Sequence, residues 1–472
     1  MMRAGPASPL AQLVARFGTD LIVTERSALE AVSIDQHRRH RGAPLALALP
    51  RTVADVTSLL AFCNAARIGV VPQGGNTGYC AAATPDGSGS QLVLSLRRLD
   101  KIRDVDVANG SLIAEAGCVL ADVQKSAAAA GRFFPLSLGS EGSCTIGGNL
   151  STNAGGLNVL RYGMMRELTL GLEVVLADGR VLSTLQALRK DNTGYDLKQL
   201  FVGAEGTLGI ITAAALKLFP APRATGTAFV AVPSPAAAVA LLARLRDGLG
   251  ELVNSFELLP NVALRLLDRH LPSLRQPLPA DSPWFVLCEA SSADANDPLT
   301  EKLGRLLEAA VDAGEVTDAA LAQSERERRE FWELRENVPE AQRRAGPSVK
   351  HDVSLPIGRI ADFIAEAGAW ITAHVEGSML VCYGHLGDGN LHFNISGADE
   401  TVAIDAHAET MKRTVHDMVA ARGGSFSAEH GIGQTKVGEL TRYAPPLELE
   451  LMRSIKKIFD PNGIMNPGKV LA

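Results

Sequence analysis

Two histidines share the segment Tyr383-Gly384-His385-Leu386-Gly387-Asp388-Gly389-Asn390-Leu391-His392-Phe393-Asn394. Asp388-Gly389 falls between two apolar runs, which predicts a hairpin. That hairpin sets His385 and His392 near the same end of two strands, where two imidazoles can meet one metal ion. A second segment, Ser427-Ala428-Glu429-His430-Gly431-Ile432-Gly433, adds a carboxylate and a third imidazole. Adjacent residues of an extended chain point to opposite sides, so Glu429 and His430 are expected to have different tasks. A His2Glu set suits Zn2+ with an open position for a further ligand, and it also suits iron or manganese. The same spacing fits two histidines that only cap or decorate a Gly-rich hairpin. Six other histidines, His37, His40, His270, His374, His407 and His416, lie in helical or charged contexts without partners in sequence, and His351 is intermediate beside Lys350.

A different chemistry is written in three glycine-rich stretches. Pro72-Gln73-Gly74-Gly75-Asn76-Thr77-Gly78 follows a short apolar strand. Its glycines and Asn76 let successive N–H groups converge, an anion nest suited to a pyrophosphate. It lacks both G-x-G-x-x-G and G-K-[ST], so neither a Rossmann site nor a P-loop is present. A plain turn-rich connection is the alternative. The second stretch runs from Leu138 to Gly156 and includes Gly139, Ser140, Cys144, Thr145, Gly147, Gly148, Asn149, Thr152, Asn153, Ala154 and Gly155. It alternates glycine with hydroxyls and amides and suits an extended ligand needing many neutral hydrogen bonds. The third contains Glu205, Gly206, Gly209, Ile210 and Ile211.

The elements that must position these groups follow from periodicity and turn chemistry. A helix over 52–69 has Thr52 as cap, Asp55 in its first turn and Gly69 beyond its end. Strands are expected at 69–71, 92–96 and 206–218, with hairpins at Asn109-Gly110 and Asp178-Gly179. Beyond Pro222 come strands at 227–232, 253–258 and 284–290, a Pro-started helix from Ser234-Pro235, and helices near 262–270, 299–313 and 318–345. Residues 350–420 read as strand, helix, strand, turn, strand, helix. That order suggests one antiparallel sheet backed by helices. The last residues hold a helix at 447–459 and are expected to fold back onto the first domain.

The chain has 472 residues, enough for about three domains or two large ones. Forty-six Lys and Arg against 52 Asp and Glu give a net charge of −6, so no basic field supports nucleic-acid binding. The charge run Ser324–Glu330 mixes signs and reads as a solvated helix face. No apolar stretch approaches the roughly 18 residues that span a bilayer, and the N-terminus, with Arg3 and Arg16, lacks a clean apolar core with a small-residue cleavage site, so secretion is not expected while a transit peptide stays open. Six scattered cysteines without a C-x-x-C pair read as reduced thiols. A cytoplasmic location is expected, mitochondrial in a eukaryote.

The three glycine-rich stretches, in order over about 40–220, together with Asn466-Pro467-Gly468-Lys469, resemble the FAD-binding domain of the vanillyl-alcohol oxidase and p-cresol methylhydroxylase superfamily. The resemblance implies an α+β fold: an FAD-binding domain of two α+β subdomains (40–221), an antiparallel-sheet substrate domain backed by helices (222–424), and a C-terminal segment (425–472) on the FAD domain. It implies FAD held by residues 72–78, by the cluster at 139–155, by the third stretch and by Asn466. The first loop has no His to tether the flavin, so non-covalent FAD is expected. The His and Glu-His segments resemble one branch of the superfamily, the metal-dependent D-2-hydroxyacid dehydrogenases, and match best the D-2-hydroxyglutarate dehydrogenase pattern. This implies zinc on His385, His392 and Glu429, with His430 as catalytic base and substrate contact and Asn394 as a second substrate contact.

In Phe331-Trp332-Glu333-Leu334-Arg335-Glu336 and Val349-Lys350-His351-Asp352, Arg335 and Lys350 match the branch's carboxylate-binding cations. The implied reaction turns a D-2-hydroxy acid into a 2-oxo acid, the proton passing to His430 and the hydride to flavin N5. An electron-transfer flavoprotein or a quinone is the implied acceptor, and a homodimer is compatible with this reading. One departure is Pro339, where the branch tends to carry a hydroxyl residue; this keeps D-malate and D-lactate as alternative substrates, and a glycolate dehydrogenase of the same superfamily is a further alternative. A zinc hydrolase leaves the glycine-rich stretches unexplained. A non-catalytic carrier leaves Glu429-His430 beside the two cations unexplained.

Overall fold

Thr52 accepts the Asp55 N–H at 3.1 Å while the Asp55 carboxylate accepts the Thr52 N–H at 3.0 Å, a capping box that starts the helix Val53–Ala66. The helix ends on Arg67, held at φ 58, with Gly69 beyond it. It leads into the strand Val70–Gln73, which lies parallel to Gln91–Ser95, as does Pro44–Ala48 on its other side; Ile22–Val23 closes that edge antiparallel. A parallel sheet presents its ligand-binding loops at the carboxyl ends of its strands. The loop 74–78 leaves from such an end.

The computed structural model describes residues 8–398, 402 and 404–471. It divides into two units. The first comprises residues up to Gly156, Gly163–Pro220 and Glu429 onward; the second comprises Leu157–Tyr162 and Ala221–Ala428. The first unit adds a five-stranded antiparallel sheet in the order Ile102–Asp106, Ser111–Glu115, Ile210–Lys217, Thr169–Val175, Val181–Ser183. Asn109-Gly110 and Asp178-Gly179 lie in the turns of its two hairpins. The helix Pro446–Phe459 is anchored in this unit through Lys456, whose ammonium donates to the Thr207 and Met465 carbonyls and to Asp460.

The second unit holds two four-stranded antiparallel sheets where the sequence suggested one. The first runs Val253–Pro260, Trp284–Ser292, Ala224–Val232, Asp318–Leu321. Its strands alternate between two cores, as the two-residue period requires. Ala228, Val230 and Val232 pack toward the helices Pro235–Leu249 and Leu299–Asp312. Phe229 and Ala231 pack toward Asn261–His270, Glu325–Glu336 and Val338–Ala345. In the second sheet Ser348–Val349 and Asp352–Ser354 pair with successive parts of Asn390–Gly397, and Ser378–Tyr383 pairs with it as well. A single bridge, Leu258 to Gly384, links the two sheets.

The helix expected over 318–345 is three elements. Asp318–Leu321 is an edge strand, Ser324 caps a new helix by accepting the Glu327 N–H at 3.2 Å, and that helix stops at Asn337. Pro339, which has no N–H to give, sits in the first turn of the next helix, where none is needed. The charge run at 324–330 is not wholly solvated either. Arg328 makes two bonds, 2.7 and 3.0 Å, to the buried Glu289. Among the described residues no helix is long and apolar enough to cross a membrane.

Candidate active site

In the first unit the three glycine-rich stretches meet around one cleft. Its walls are Pro72–Gly78, Cys144, Thr145, Gly147, Gly148, Asn149, Thr152, Glu205, Gly206 and Asn466, with His430 on the same rim. Gly139, Ser140, Asn153, Ala154, Gly155, Gly209, Ile210 and Ile211 are not on its lining. Ile210 and Ile211 open the buried strand Ile210–Lys217, and Asn153 accepts the Arg166 N–H at 2.9 Å. Arg97, which the sequence reading passed over, donates to the carbonyls of Gly74 and Gly75 at 3.1 and 3.2 Å. In a trans peptide C=O and N–H point oppositely, so the N–H groups of Gly75 and Asn76 face away from Arg97. That is the arrangement an anion nest requires.

Close packing of the stretches dictates two of the glycines. A Cβ on Gly75 would lie 2.2 Å from the Ser143 carbonyl oxygen, and one on Gly74 2.2 Å from Thr145 Oγ1. Four non-glycine residues on the lining, Asn76, Ala81, Glu205 and Asn466, hold positive φ. Such conformations cluster where a ligand is gripped. Three buried polar atoms on the lining, Thr145 Oγ1, Asn149 Nδ2 and Asn466 Oδ1, have no hydrogen-bond partner among the described residues. Buried polar atoms are normally paired. A hydrogen-bond-rich lining around a nest, whose one carboxylate, Glu205, is turned onto backbone N–H groups, fits a dinucleotide such as FAD.

The Gly431-Ile432-Gly433 turn fixes His430. Glu205 accepts the N–H groups of Ile432 and Gly433 at 2.7 and 2.8 Å, and a Cβ on Gly433 would overlap the Cys80 carbonyl. Asn466 in turn donates to the Glu205 carbonyl at 2.7 Å. The His430 imidazole stacks on Tyr79, with ring centres 4.3 Å apart, and His37 lies 4.5 Å from the same ring. Tyr79 carries no motif signal in the sequence, and His37, without a partner near it in sequence, meets that ring only in the fold. Glu429 accepts the Gly156 N–H at 3.2 Å.

In the second unit the strand Asn390–Gly397 sorts its residues by parity. Leu391, Phe393 and Ile395 enter the apolar core, while Asn390, His392, Asn394 and Ser396 form a polar row. The link from Tyr383 to Asn390 is longer than a two-residue hairpin turn and contains the short helical turn Leu386–Asp388, with Gly389 at φ 90. It still brings His385 to His392: ring centres are 5.5 Å apart, and nitrogens of the two lie within 4.8 Å. Asn394 donates to Gln342 at 2.9 Å, and Gln342 to Ser396 at 3.0 Å. His351 bonds the Phe393 carbonyl through Nδ1 at 2.8 Å and packs against His416. His416 is therefore buried and partnered, contrary to its reading as an isolated residue.

Arg335 shares the buried face of its helix with Phe331, Trp332 and Leu334. Its Nε donates to Glu257 at 2.6 Å, and its guanidinium lies 5.0 Å from the centre of the Tyr383 ring. His385 Nδ1 reaches the other Glu257 oxygen at 2.5 Å. Burial alone would raise the Glu257 carboxyl. The Arg335 charge and His385 outweigh it and hold Glu257 well below the usual carboxylate range. An ionised carboxylate on Nδ1 makes that nitrogen the donor, so Nε2 carries the lone pair a metal would take. The donor set of His385 and His392 thus fits a divalent ion. Lys350 lies exposed at the end of Ser348–Val349.

The family models for the FAD binding domain and for the C-terminal domain of FAD linked oxidases match residues 44–185 and 221–470. A mitochondrial D-2-hydroxyglutarate dehydrogenase of Bos taurus is 42% identical over 455 residues, covering 95% of this chain and 81% of its own. One from Arabidopsis thaliana is 38% identical, covering 96% and 80%. A structure of p-cresol methylhydroxylase with substrate bound superposes with a TM-score of 0.78 at 17% identity, over 98% of this chain and 96% of that one, and so shares the fold. The chain belongs to the FAD-linked oxidase family and is an FAD-dependent oxidoreductase of the vanillyl-alcohol oxidase fold.

Proposed function

We propose that this enzyme oxidises D-2-hydroxyglutarate to 2-oxoglutarate, using non-covalent FAD and a zinc ion. One observation carries the reading: in the second unit a pair of imidazoles offered to one ion and a buried guanidinium are joined through one carboxylate, Glu257. A dicarboxylate with an α-hydroxyl asks for this pairing of a metal site with a cation. His385 and His392 are its imidazole ligands, and Glu429 supplies the carboxylate on the strength of the sequence motif. Arg335 and Lys350 hold the substrate's carboxylates, and Asn394 orients it. When bound, zinc acidifies the hydroxyl and flavin accepts the hydride. His430, held by the Glu205-clamped turn, takes the hydroxyl proton.

Non-covalent flavin is supported by the Cys144 thiol. Cys144 on the cleft wall is buried and its thiol pushed up, so it stays protonated and a poor nucleophile. The electron acceptor is an electron-transfer flavoprotein or a quinone, and a homodimer remains compatible. Pro339 leaves a second, shorter substrate open, D-malate or D-lactate, because no hydroxyl stands at that position to hold the distal carboxylate of D-2-hydroxyglutarate. Anaerobic addition of D-2-hydroxyglutarate to the yellow protein should bleach the flavin absorbance, and the L-enantiomer should not. Bleaching by D-malate or D-lactate but not by D-2-hydroxyglutarate would select the shorter substrate. Bleaching by neither class would overturn the reading.

A further inference from the structure

Glu257 is an anomaly of the strand that carries it. Val253–Pro260 is buried from end to end, and Glu257 is 1% exposed. Phe256 and Leu258 enter one core. Glu257 and Leu259 turn to the other face, where Phe285, Leu287, Leu334 and Tyr383 are packed. A carboxylate in such surroundings is costly unless it is paired and hydrogen-bonded. Each of its oxygens has a donor: Oε2 takes Arg335 Nε at 2.6 Å and Oε1 takes His385 Nδ1 at 2.5 Å. Arg335 and His385 come from a helix and from a loop far apart in sequence. The Leu258–Gly384 bridge registers that loop against the Glu257 strand.

We infer that Glu257 is a positioning residue that sets the metal-ligand imidazole of His385 and the carboxylate-binding guanidinium of Arg335 against each other, so that metal affinity and dicarboxylate affinity depend on one side chain. The inference rests on the proposed function and goes beyond it, because neither the metal nor the substrate needs to touch Glu257. A carboxylate is required in particular. It offers an acceptor to each neighbour, whereas a carboxamide offers one acceptor and turns an N–H2 group toward the other donor. Either orientation of a glutamine therefore releases His385 or Arg335. A simple structural ion pair would affect folding and leave the folded protein's affinities alone.

The test is Glu257→Gln in the full chain loaded with FAD. Zinc affinity is read by competition with a chromophoric chelator, flavin content by absorbance, and KM and kcat for D-2-hydroxyglutarate separately. Loss of a partner that orients a metal-bound histidine typically weakens metal binding 10–100-fold. The expected result is a loss of about that size with full flavin content, a raised KM, and recovery of kcat when zinc is saturating. Zinc affinity and KM both within about twofold of the parent protein would overturn the inference. If Glu257→Gln fails to fold, Glu257→Asp replaces it with the same thresholds, since it keeps both acceptors but withdraws them by one methylene. A parent protein that binds no zinc at all would instead overturn the metal reading, and this inference with it.

Discussion

The cleft of the first unit and the polar row of the second are built from opposite materials. The cleft is made largely of backbone: glycines pressed against carbonyls, residues at positive φ, and mostly uncharged side chains. The polar row and the groups beside it are made of side chains: His392 lies in the row, His385 on the link next to it, and Glu257, on a strand, bonds both His385 and Arg335. A cofactor that stays bound can be gripped by a fixed shape. A substrate that must be chosen and released is better recognised by charged groups whose pairing it can match. The two regions should therefore fail in different ways: the cleft by added volume, the row by lost charge.

The largest expected effect comes from the residue that crosses this division. His430 lies on the rim of the cleft, yet the proposed function gives its task to the side chain. His430→Ala should lower kcat by about 10²–10⁴-fold, the usual contribution of a general base, while flavin and zinc contents stay at parent levels. Metal analysis and the flavin spectrum of the purified variant check this. A variant devoid of zinc would make His430 a ligand instead of the base.

Next comes the row. Breaking a buried ion pair by removing one partner costs about 3–5 kcal/mol, because the other charge is left unpaired. Glu257 keeps His385 when Arg335 is removed, so Arg335→Met should fall at the lower end of that range, read from chemical denaturation. Arg335→Lys keeps the charge but cannot reproduce the planar fork. It should unfold near the parent midpoint and show a raised KM for the dicarboxylate. A KM unchanged for both dicarboxylates and monocarboxylates would remove Arg335 from the substrate site.

The same division governs how much was legible in sequence. The cleft stretches were readable because loops that approach a ligand through backbone must be made of glycine, hydroxyls and amides, and that composition survives without structure. The two-histidine segment was readable as a motif, and the parity of Asn390–Gly397 follows from alternation alone. Glu257 was not readable. It meets His385 across 128 positions of chain, and its one local trace is a charge between Phe256 and Leu258. His416 and Tyr79 were missed for the same reason, since their partners are brought by other elements. The edge strand Asp318–Leu321 was hidden because its Ala and Leu residues also favour helix, and its pairing with Ala224–Val232 decided the outcome.

The smallest effects discriminate most finely within the cleft. Gly75→Ala places a methyl group 2.2 Å from the Ser143 carbonyl and 2.9 Å from the Cys144 Cα, both backbone atoms that cannot swing aside. Overpacking of this kind costs about 1–3 kcal/mol. It should appear as flavin binding weakened by up to about a hundredfold, measured as flavin lost on gel filtration. Gly78, three residues on in the same loop, has nothing within 4 Å of an added Cβ and does not hold a positive φ. Gly78→Ala should therefore leave flavin content and activity within about twofold of the parent, and stability within about 0.5 kcal/mol, as for an ordinary surface substitution. The two glycines are alike as sequence and differ only in what their missing side chains would touch. If Gly78→Ala shed flavin as readily as Gly75→Ala, the space beside Gly78 would be filled by the cofactor itself, and the loop would be gripping through contact at that position and not through the packing of one stretch on another.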